Sequence, residues 1–396
     1  MATAQSLESW ELDEGRFIQL LTALIGEVEF LQNNPPTYVP KESRAARHAM
    51  EVLKEYSTGD NPVLKVKLVE YKENRGNLII EYNSECTQGV VSFVGSHLDV
   101  VPANPDTWDR NPFKLSQEGD KLYARGTTDC LGHVALITEL FRQLAEKKPV
   151  LSVRVVAVFI ASEENSSIPC VGIDQLVKEG LLENLKSGPV FWVDSSDSHP
   201  CIGCCSALMW KLRAEGRLSH SGLPWNGINA LELATAACKD LIKHFYNKYP
   251  KHELEEKYRF LGPSTMKETQ VKCMEGSVNQ IPASCELAGD IRLVPFYDHH
   301  KCKQEILDRA QYLNEHIEEL QSHEQSKFII TLGSGEVVRG KLKLEFDTAD
   351  LGGIACKLDS PGYKALYDAT KKVLGSAEPY SVGGSLPLVG TMQAEG

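Results

Sequence analysis

The sequence predicts an α/β fold: a mixed, largely parallel sheet flanked by helices, interrupted by an inserted α+β domain. Three observations carry that expectation. Through the first half of the chain, short β-branched runs alternate with amphipathic helical segments, as in a sheet covered on both faces. After about residue 206 the strands begin to alternate apolar and polar residues, the mark of half-exposed strands. Near residue 360 a helical pattern returns.

Taken in order, DEGRFIQLLTALIGEVEFL places Phe17, Leu20, Leu21, Leu24 and Val28 at helical spacing. A second helix is predicted over 43–56, with Ser43 as its N-cap. VLKVKLVEY, NLIIEYN and VVSFVGSHLDVVP read as strands, the last with a β-branched and aromatic core of Val90, Val91, Phe93 and Val94. A helix over 131–147, a strand over 152–160, a helix around 173–183 and a strand over 189–194 follow. Beyond residue 206, ALMWKLRAEGRL is a strand, 226–245 a helix, KETQVKCME and CELAGDIRLVP strands, and 298–321 a charged helix. KFIITLG and VVRGKLKLEF supply further strand. Strand–helix–strand–strand–helix–strand is the ferredoxin-like order. A helix over 360–375 and a Gly-Gly turn in the tail complete the reading. The domains expected are 1–206, an insert at 207–357, and a return to the first domain at 358–396.

Composition narrows the function classes. The 396 residues are 42% hydrophobic and 24% charged, with a net charge of −12. That balance argues against nucleic acid or an anionic membrane as a partner, since both call for a basic surface. No apolar run approaches the roughly 20 residues of a membrane span. Eleven scattered cysteines fit reduced thiols better than a disulfide framework. With no secretory or typical transit signal at the N-terminus, cytoplasm is the expected compartment, a plastid remaining open.

In open α/β sheets, sites lie at the carboxyl ends of strands. Three such ends carry metal-capable side chains: His97 and Asp99 in VVSFVGSHLD, Glu163 and Glu164 in VFIASEE, and Asp194 in VFWVDSSD. Asp129 sits in the turn RGTTDCLG before the helix at 131. Imidazole with several carboxylates suits zinc, cobalt or manganese. Each signal has a plainer alternative. His97 could be structural, Asp129 a helix cap, and Asp194 with Ser195, Ser196 and Asp197 a solvated loop; the glutamates could be a polar strand exit. The spacing of His97 and Asp99 lets a carboxylate sit beside a ligand imidazole and fix its tautomer. PCIGCC at 200–205 lacks the second Cys-x-x-Cys that a structural zinc site needs, so small residues after a strand explain it better.

The ordered set HLDVVP, W…PF…KLYARGTTD, SEEN, a strand-terminal acid, GRLSHSG and NQIP…DIR resembles the co-catalytic metallopeptidase family of acetylornithine deacetylase, succinyl-diaminopimelate desuccinylase, aminoacylase and glutamate carboxypeptidase. GTTDCLGH and VDSSD are most similar to the plant acetylornithine deacetylase branch. The resemblance implies a zinc-peptidase-like catalytic domain with a lid or dimerisation insert. It implies two divalent ions, zinc or cobalt, with Asp129 bridging, His97 and Asp194 on one ion, and Glu164 on the other. Glu163 is then the general base, Asp99 the partner of the ligand histidine, and His220 an oxyanion donor reaching across a homodimer. Asn279, Arg292, Gly383 and Gly384 match substrate-binding positions. Arg292 could instead be a surface charge paired with Asp290. The implied reaction is hydrolysis of N2-acetyl-L-ornithine to L-ornithine and acetate, a step of arginine synthesis. An aminoacylase or dipeptidase acting on other N-acyl amino acids is the alternative within the family.

The family's last metal ligand is a histidine near the C-terminus, and this sequence has none after His323. The family's final strand and helix are not evident either. Without that histidine the Glu164-side ion loses a ligand, so affinity and rate should both fall; two ions stay the expectation, with one ion, or a non-catalytic binding or regulatory partner, as the alternatives. Leu131 stands where many relatives carry lysine.

Overall fold

The computed structural model describes residues 10–83, 85–165, 167–194, 198–321, 324–347, 351–386 and 389–394; Ser195, Ser196, Asp197 and His323 lie outside them. The chain forms two compact units. One comprises Met1–Ser198 with Asp359–Ala369 and Thr391–Gly396; the other comprises His199–Leu358 with Thr370–Gly390.

In the first unit, α1 (Glu14–Ile25) begins at Asp13, whose carboxylate accepts the Arg16 amide, and buries Leu20, Leu21, Leu24 and Ile25. Val28 falls in a separate 3-10 turn. The helix α2 (Ser43–Ser57) is not capped by Ser43 as expected. Ser43 lies inside the first turn with its hydroxyl bonded to Glu70, and the Glu42 carboxylate before it is turned to Arg75. There follow β1 (Leu64–Lys72), β2 (Arg75–Tyr82), β3 (Val90–His97), the small hairpin of β4 (Ser116–Glu118) and β5 (Lys121–Tyr123), and α3 (Leu131–Lys147). Next come β6 (Arg154–Ile160), α4 (Ile173–Lys178) and β7 (Val190–Trp192). The expected helix over 173–183 stops at Lys178; Gly180 then takes φ +69, and a 3-10 turn, Glu183–Ser187, leads into β7.

The sheet order is β1-β2-β6-β3-β7. Strands β6, β3 and β7 pair in parallel, and β2, antiparallel to both β6 and β1, is the one reversed strand. This is the mixed sheet that the β-branched runs predict. All of β6 after Arg154 is buried, and Leu78, Ile80, Ala157 and Phe159 join the helices α1, α2 and α3 in one core. Because three strands are parallel, their carboxyl ends share one edge, which sets where His97, Glu163, Glu164 and Asp194 emerge.

The second unit contains β8 (Cys201–Cys204), β9 (Ser206–Glu215), β10 (Ser219–His220), α5 (Ala230–Lys248), α6 (Leu254–Lys257), β11 (Thr265–Cys273), β12 (Gln280–Ile281) and β13 (Ser284–Leu293). It continues through α7 (His299–Glu315), β14 (Ile329–Thr331), β15 (Val337–Arg339), β16 (Lys341–Phe346) and β17 (Ile354–Ala355). Helix α8 (Pro361–Leu374) is divided between the units, β18 (Tyr380–Val382) belongs to the second, and α9 (Val389–Ala394) ends the described chain. The antiparallel sheet β11-β13-β9-β16 interleaved with α5 and α7 is ferredoxin-like. Alternate residues of β9 are buried, against Leu233, Ala237, Leu241 and Phe245 of α5 and Ile306, Ala310 and Leu313 of α7. KFIITLG is not part of that sheet; it pairs with Val337–Arg339 as its own hairpin. PCIGCC supplies β8, held between β17 and β18. Among the described residues, the groups placed to share a metal do not include Cys201, Cys204 or Cys205.

Candidate metal centre

His97 is the last residue of β3 and is wholly buried. Its Nδ1 lies 2.8 Å from the Asp99 backbone carbonyl. A carbonyl only accepts, so Nδ1 carries one proton and Nε2 is the ring nitrogen turned outward. Nε2 is 2.7 Å from Asp129 Oδ1 and 3.7 Å from Asp194 Oδ1. Ligand atoms of His97, Asp129 and Glu164 lie within 4.8 Å of one another, as do those of His97, Cys130 and Asp194.

With no metal, a proton on Nε2 bridges the imidazole and these carboxylates; a bound cation would take the place of that proton. Burial by itself lowers the His97 imidazole, but Asp129 and Asp194 outweigh it and hold the ring well above its usual range. Burial pushes Glu163 up to about 8, opposed by His97 and reinforced by Asp194, Asp99 and Glu164. Burial likewise raises Glu164 to about 7, against the pull of His97, with Asp129 and Asp99 adding. The donor set fits a divalent ion of the zinc or cobalt type.

The carboxylate of Asp99 has a different job from the one its spacing suggests. Its Oδ1 stands 3.6 Å from His97 Nδ1, and the backbone carbonyl takes the imidazole proton instead. The side chain turns to the segment carrying the two glutamates: Glu163 N–H donates to Oδ1 and Glu164 N–H to Oδ2, both at 3.1 Å. Asn33 Nδ2 donates to the same Oδ2 at 2.7 Å and also lies 3.0 Å from the Asn165 carbonyl. Upstream, Ala161 N–H donates to Asn77 Oδ1 at 2.9 Å and Ser162 N–H to Glu42 Oε1 at 3.2 Å. Arg75 grips Glu42 through Nε and Nη2 at 2.6 and 2.7 Å.

Four consecutive amides, 161–164, are thus held by buried side chains rather than by a neighbouring strand. Ser162 takes φ +65 and turns the chain off β6, so Glu163 and Glu164 are freed from strand alternation. Glu164 also accepts Val101 N–H at 3.1 Å. Asn33, Glu42, Arg75 and Asn77 were not singled out from sequence. They are isolated polar residues with no shared spacing, and only the fold brings them together.

The second unit holds the other candidates. His220 on β10 pairs with Gln280 on β12. Gly222 N–H donates to His220 Nδ1 at 3.0 Å, so Nε2 carries the proton. Asn279 Nδ2 stands 2.9 Å from Nε2; with the proton on Nε2, the compatible partner is the amide flipped to present its oxygen. Arg292 Nε donates to Asp290 Oδ2 at 2.6 Å, the ion pair weighed as its surface alternative. Gly383 and Gly384 have no left-handed φ, and an added Cβ at either meets nothing within 4 Å. Gly384 accepts Cys205 N–H at 2.9 Å.

The model of peptidase family M20/M25/M40 matches residues 93–390. The chain is 48% identical to an acetylornithine deacetylase from Arabidopsis thaliana, over 97% of this chain and 87% of that one. It is 47% identical to an acetylornithine deacetylase from Dictyostelium discoideum, over 98% and 89%. The fold superposes on an M20 family metallo-carboxypeptidase, Sso-CP2 from Sulfolobus solfataricus, with a TM-score of 0.64 at 19% identity, covering 95% of this chain and 87% of the other.

Proposed function

The chain belongs to peptidase family M20/M25/M40, and from that premise we propose that it is a metal-dependent amide hydrolase that converts N2-acetyl-L-ornithine and water to L-ornithine and acetate. One observation supports the reading best: ligand atoms of His97, Asp129 and Glu164 gather within 4.8 Å, and the same His97 belongs to a second such group with Asp194 and Cys130. Two acetylornithine deacetylases nearly half identical along almost the whole chain favour this substrate over other N-acyl amino acids.

His97, Asp129, Asp194 and Glu164 would hold the divalent ions, two in number and zinc or cobalt in kind. When bound, such ions bring the pKa of water down to about 7 and polarise a carbonyl. Glu163 takes the proton of the attacking water as its oxygen joins the acetyl carbon, and returns it to the amine nitrogen as the C–N bond breaks. Asp99 and Asn33 fix the backbone of both glutamates, so base and ligand stay in register. His220, with its proton on Nε2, is a donor for the developing oxyanion. It performs that role across a homodimer built on the second unit, which serves as lid and dimerisation domain. Asn279 and Arg292 hold the substrate, the guanidinium pairing with its α-carboxylate, and Gly383 and Gly384 line the pocket. The compartment is the cytoplasm.

The test is a substrate panel with zinc- or cobalt-loaded protein. The reading requires kcat/KM for N2-acetyl-L-ornithine to exceed that for N-acetyl-L-methionine and for dipeptides. Preference for acetylmethionine would make the protein an aminoacylase instead.

A further inference from the structure

The loop that carries Asn279 leaves β11 and enters β13, and its neck is framed by two cysteines. Cys273 ends β11, Cys285 is the second residue of β13, and the two are Cα partners in the antiparallel register. In the adjoining pair, Met274 N–H donates to the Ser284 carbonyl at 3.0 Å. Pairs in an antiparallel ladder alternate, so Cys273 and Cys285 occupy a non-hydrogen-bonded position, where Cα atoms stand about 4.5 Å apart and side chains are nearest. That spacing falls within the roughly 4.4–6.8 Å a disulfide spans. Both thiols are free. β11 lies at the edge of its sheet. Cys273 is half-buried there, with Sγ 3.5 Å from the Ser284 carbonyl, whereas Cys285 is buried.

We propose that Cys273 and Cys285 form a dithiol modification site that reacts with a small-molecule disulfide of the glutathione class and closes to a cross-strand disulfide. Cys273, on the solvent side, loses its proton and attacks one sulfur of the small disulfide. The S–S bond breaks, a mixed disulfide forms, and one thiolate departs with its electron pair. Cys285 then attacks Cys273 Sγ and expels the second thiolate. Two protein thiols are oxidised, one disulfide is reduced to two thiols, and the protein's two protons pass to the departing thiolates. Burial pushes the Cys285 thiol up to about 12, which fixes the order, Cys273 reacting first.

Closing the bond draws the Cβ atoms from about 4.5–5.5 Å to about 3.8 Å, which tightens the neck of the 274–284 loop. That loop is tied to β10 through Ser221 N–H to the Asn279 carbonyl at 2.8 Å and through the Asn279 amide to His220. Oxidation therefore displaces Asn279 and lowers turnover. This consequence rests on the proposed function, whereas the disulfide itself does not.

The experiment incubates the full-length protein with glutathione disulfide at millimolar concentration, then maps peptides without reduction. A Cys273–Cys285 linked peptide that disappears with dithiothreitol, and is absent from Cys273→Ser, is expected. Failure to form that link, with oxidation confined to other cysteines such as exposed Cys170, would overturn the proposal. In parallel, kcat/KM for N2-acetyl-L-ornithine should fall about tenfold on oxidation, recover on reduction, and stay constant in Cys273→Ser. A linked peptide with unchanged kcat/KM would refute the coupling to the loop. A protein inactive in its reduced form would instead count against the proposed reaction, leaving the peptide map to decide the disulfide.

Discussion

Replacing Asp99 with asparagine tests how the two glutamates are held. The Asp99 carboxylate is fully buried and accepts three hydrogen bonds, from Glu163 N–H and Glu164 N–H at 3.1 Å and from Asn33 Nδ2 at 2.7 Å. Asparagine has one oxygen. Placed at the Oδ2 position it keeps Glu164 and Asn33, but its own NH2 then faces Glu163 N–H, donor against donor. An unsatisfied buried donor costs about 1–3 kcal/mol. The two surviving bonds lose their charge assistance, and with it about half their strength. The total is about 3–5 kcal/mol, which at about 2–4 °C per kcal/mol lowers Tm by on the order of 10 °C. Turnover falls about a hundredfold, because the base and a ligand hang from the loosened amides. Thermal unfolding, bound-metal analysis and steady-state kinetics read all three effects. Asn33→Leu should cost less, about 1–2 kcal/mol, since it also removes Asn33 Oδ1, a buried acceptor without a partner. A D99N protein within 1 °C of wild type and equally active would refute the account of how residues 161–164 are held.

Three further outcomes are expected. In metal-free protein Glu163 and Glu164 are raised to about 8 and about 7 from an ordinary 4.5, and His97 is raised as well. At these groups the folded state keeps protons that the unfolded chain releases, so their contribution to stability is greatest at low pH and declines as pH climbs from about 4.5 to 8. Tm measured with chelator should drop across that window and flatten when zinc is added; a Tm that rises with pH under chelation would contradict the electrostatics. Glu163→Ala should reduce kcat by about a hundredfold or more with bound metal unchanged, whereas Glu164→Ala should lose metal. The reverse pattern in elemental analysis would exchange the two roles. Arg75→Leu leaves the buried Glu42 carboxylate without its counter-charge and should cost about 3–5 kcal/mol, read as a denaturant midpoint shift that a paired Glu42→Gln change partly restores.

Much of this arrangement is legible from sequence, for a physical reason. Helix α3 spans the predicted 131–147 because a long apolar periodicity is bounded by a turn and by Lys148 in the left-handed region. β3 and β6 are marked by β-branched runs that only a doubly covered sheet accommodates. His97, Glu164 and Asp194 could be nominated together because parallel strands deliver their carboxyl ends to one edge, and Asp129 joined them from the turn before α3. Ser43 misled because its hydroxyl found Glu70 across the fold, a competition invisible to local capping rules. The further contacts of Asp99 escaped notice for a related reason. Spacing shows that a carboxylate can reach a histidine, but not that a backbone carbonyl reaches it first. Asn33 and Asn77 escaped notice because the partners that matter lie far along the chain: Asp99 and Asn165 stand 66 and 132 positions from Asn33, and Ala161 and Val171 stand 84 and 94 from Asn77.

Diffraction from zinc-soaked crystals, collected at the zinc absorption edge, addresses the central claim directly. The anomalous peaks should fall where His97 Nε2, Asp129, Asp194 and Glu164 converge, with ligand distances of about 2.0–2.2 Å, and with Glu163 outside the first ring of ligands. Zinc bound elsewhere, or His97 facing no ion while Asp129 and Asp194 point apart, would contradict it.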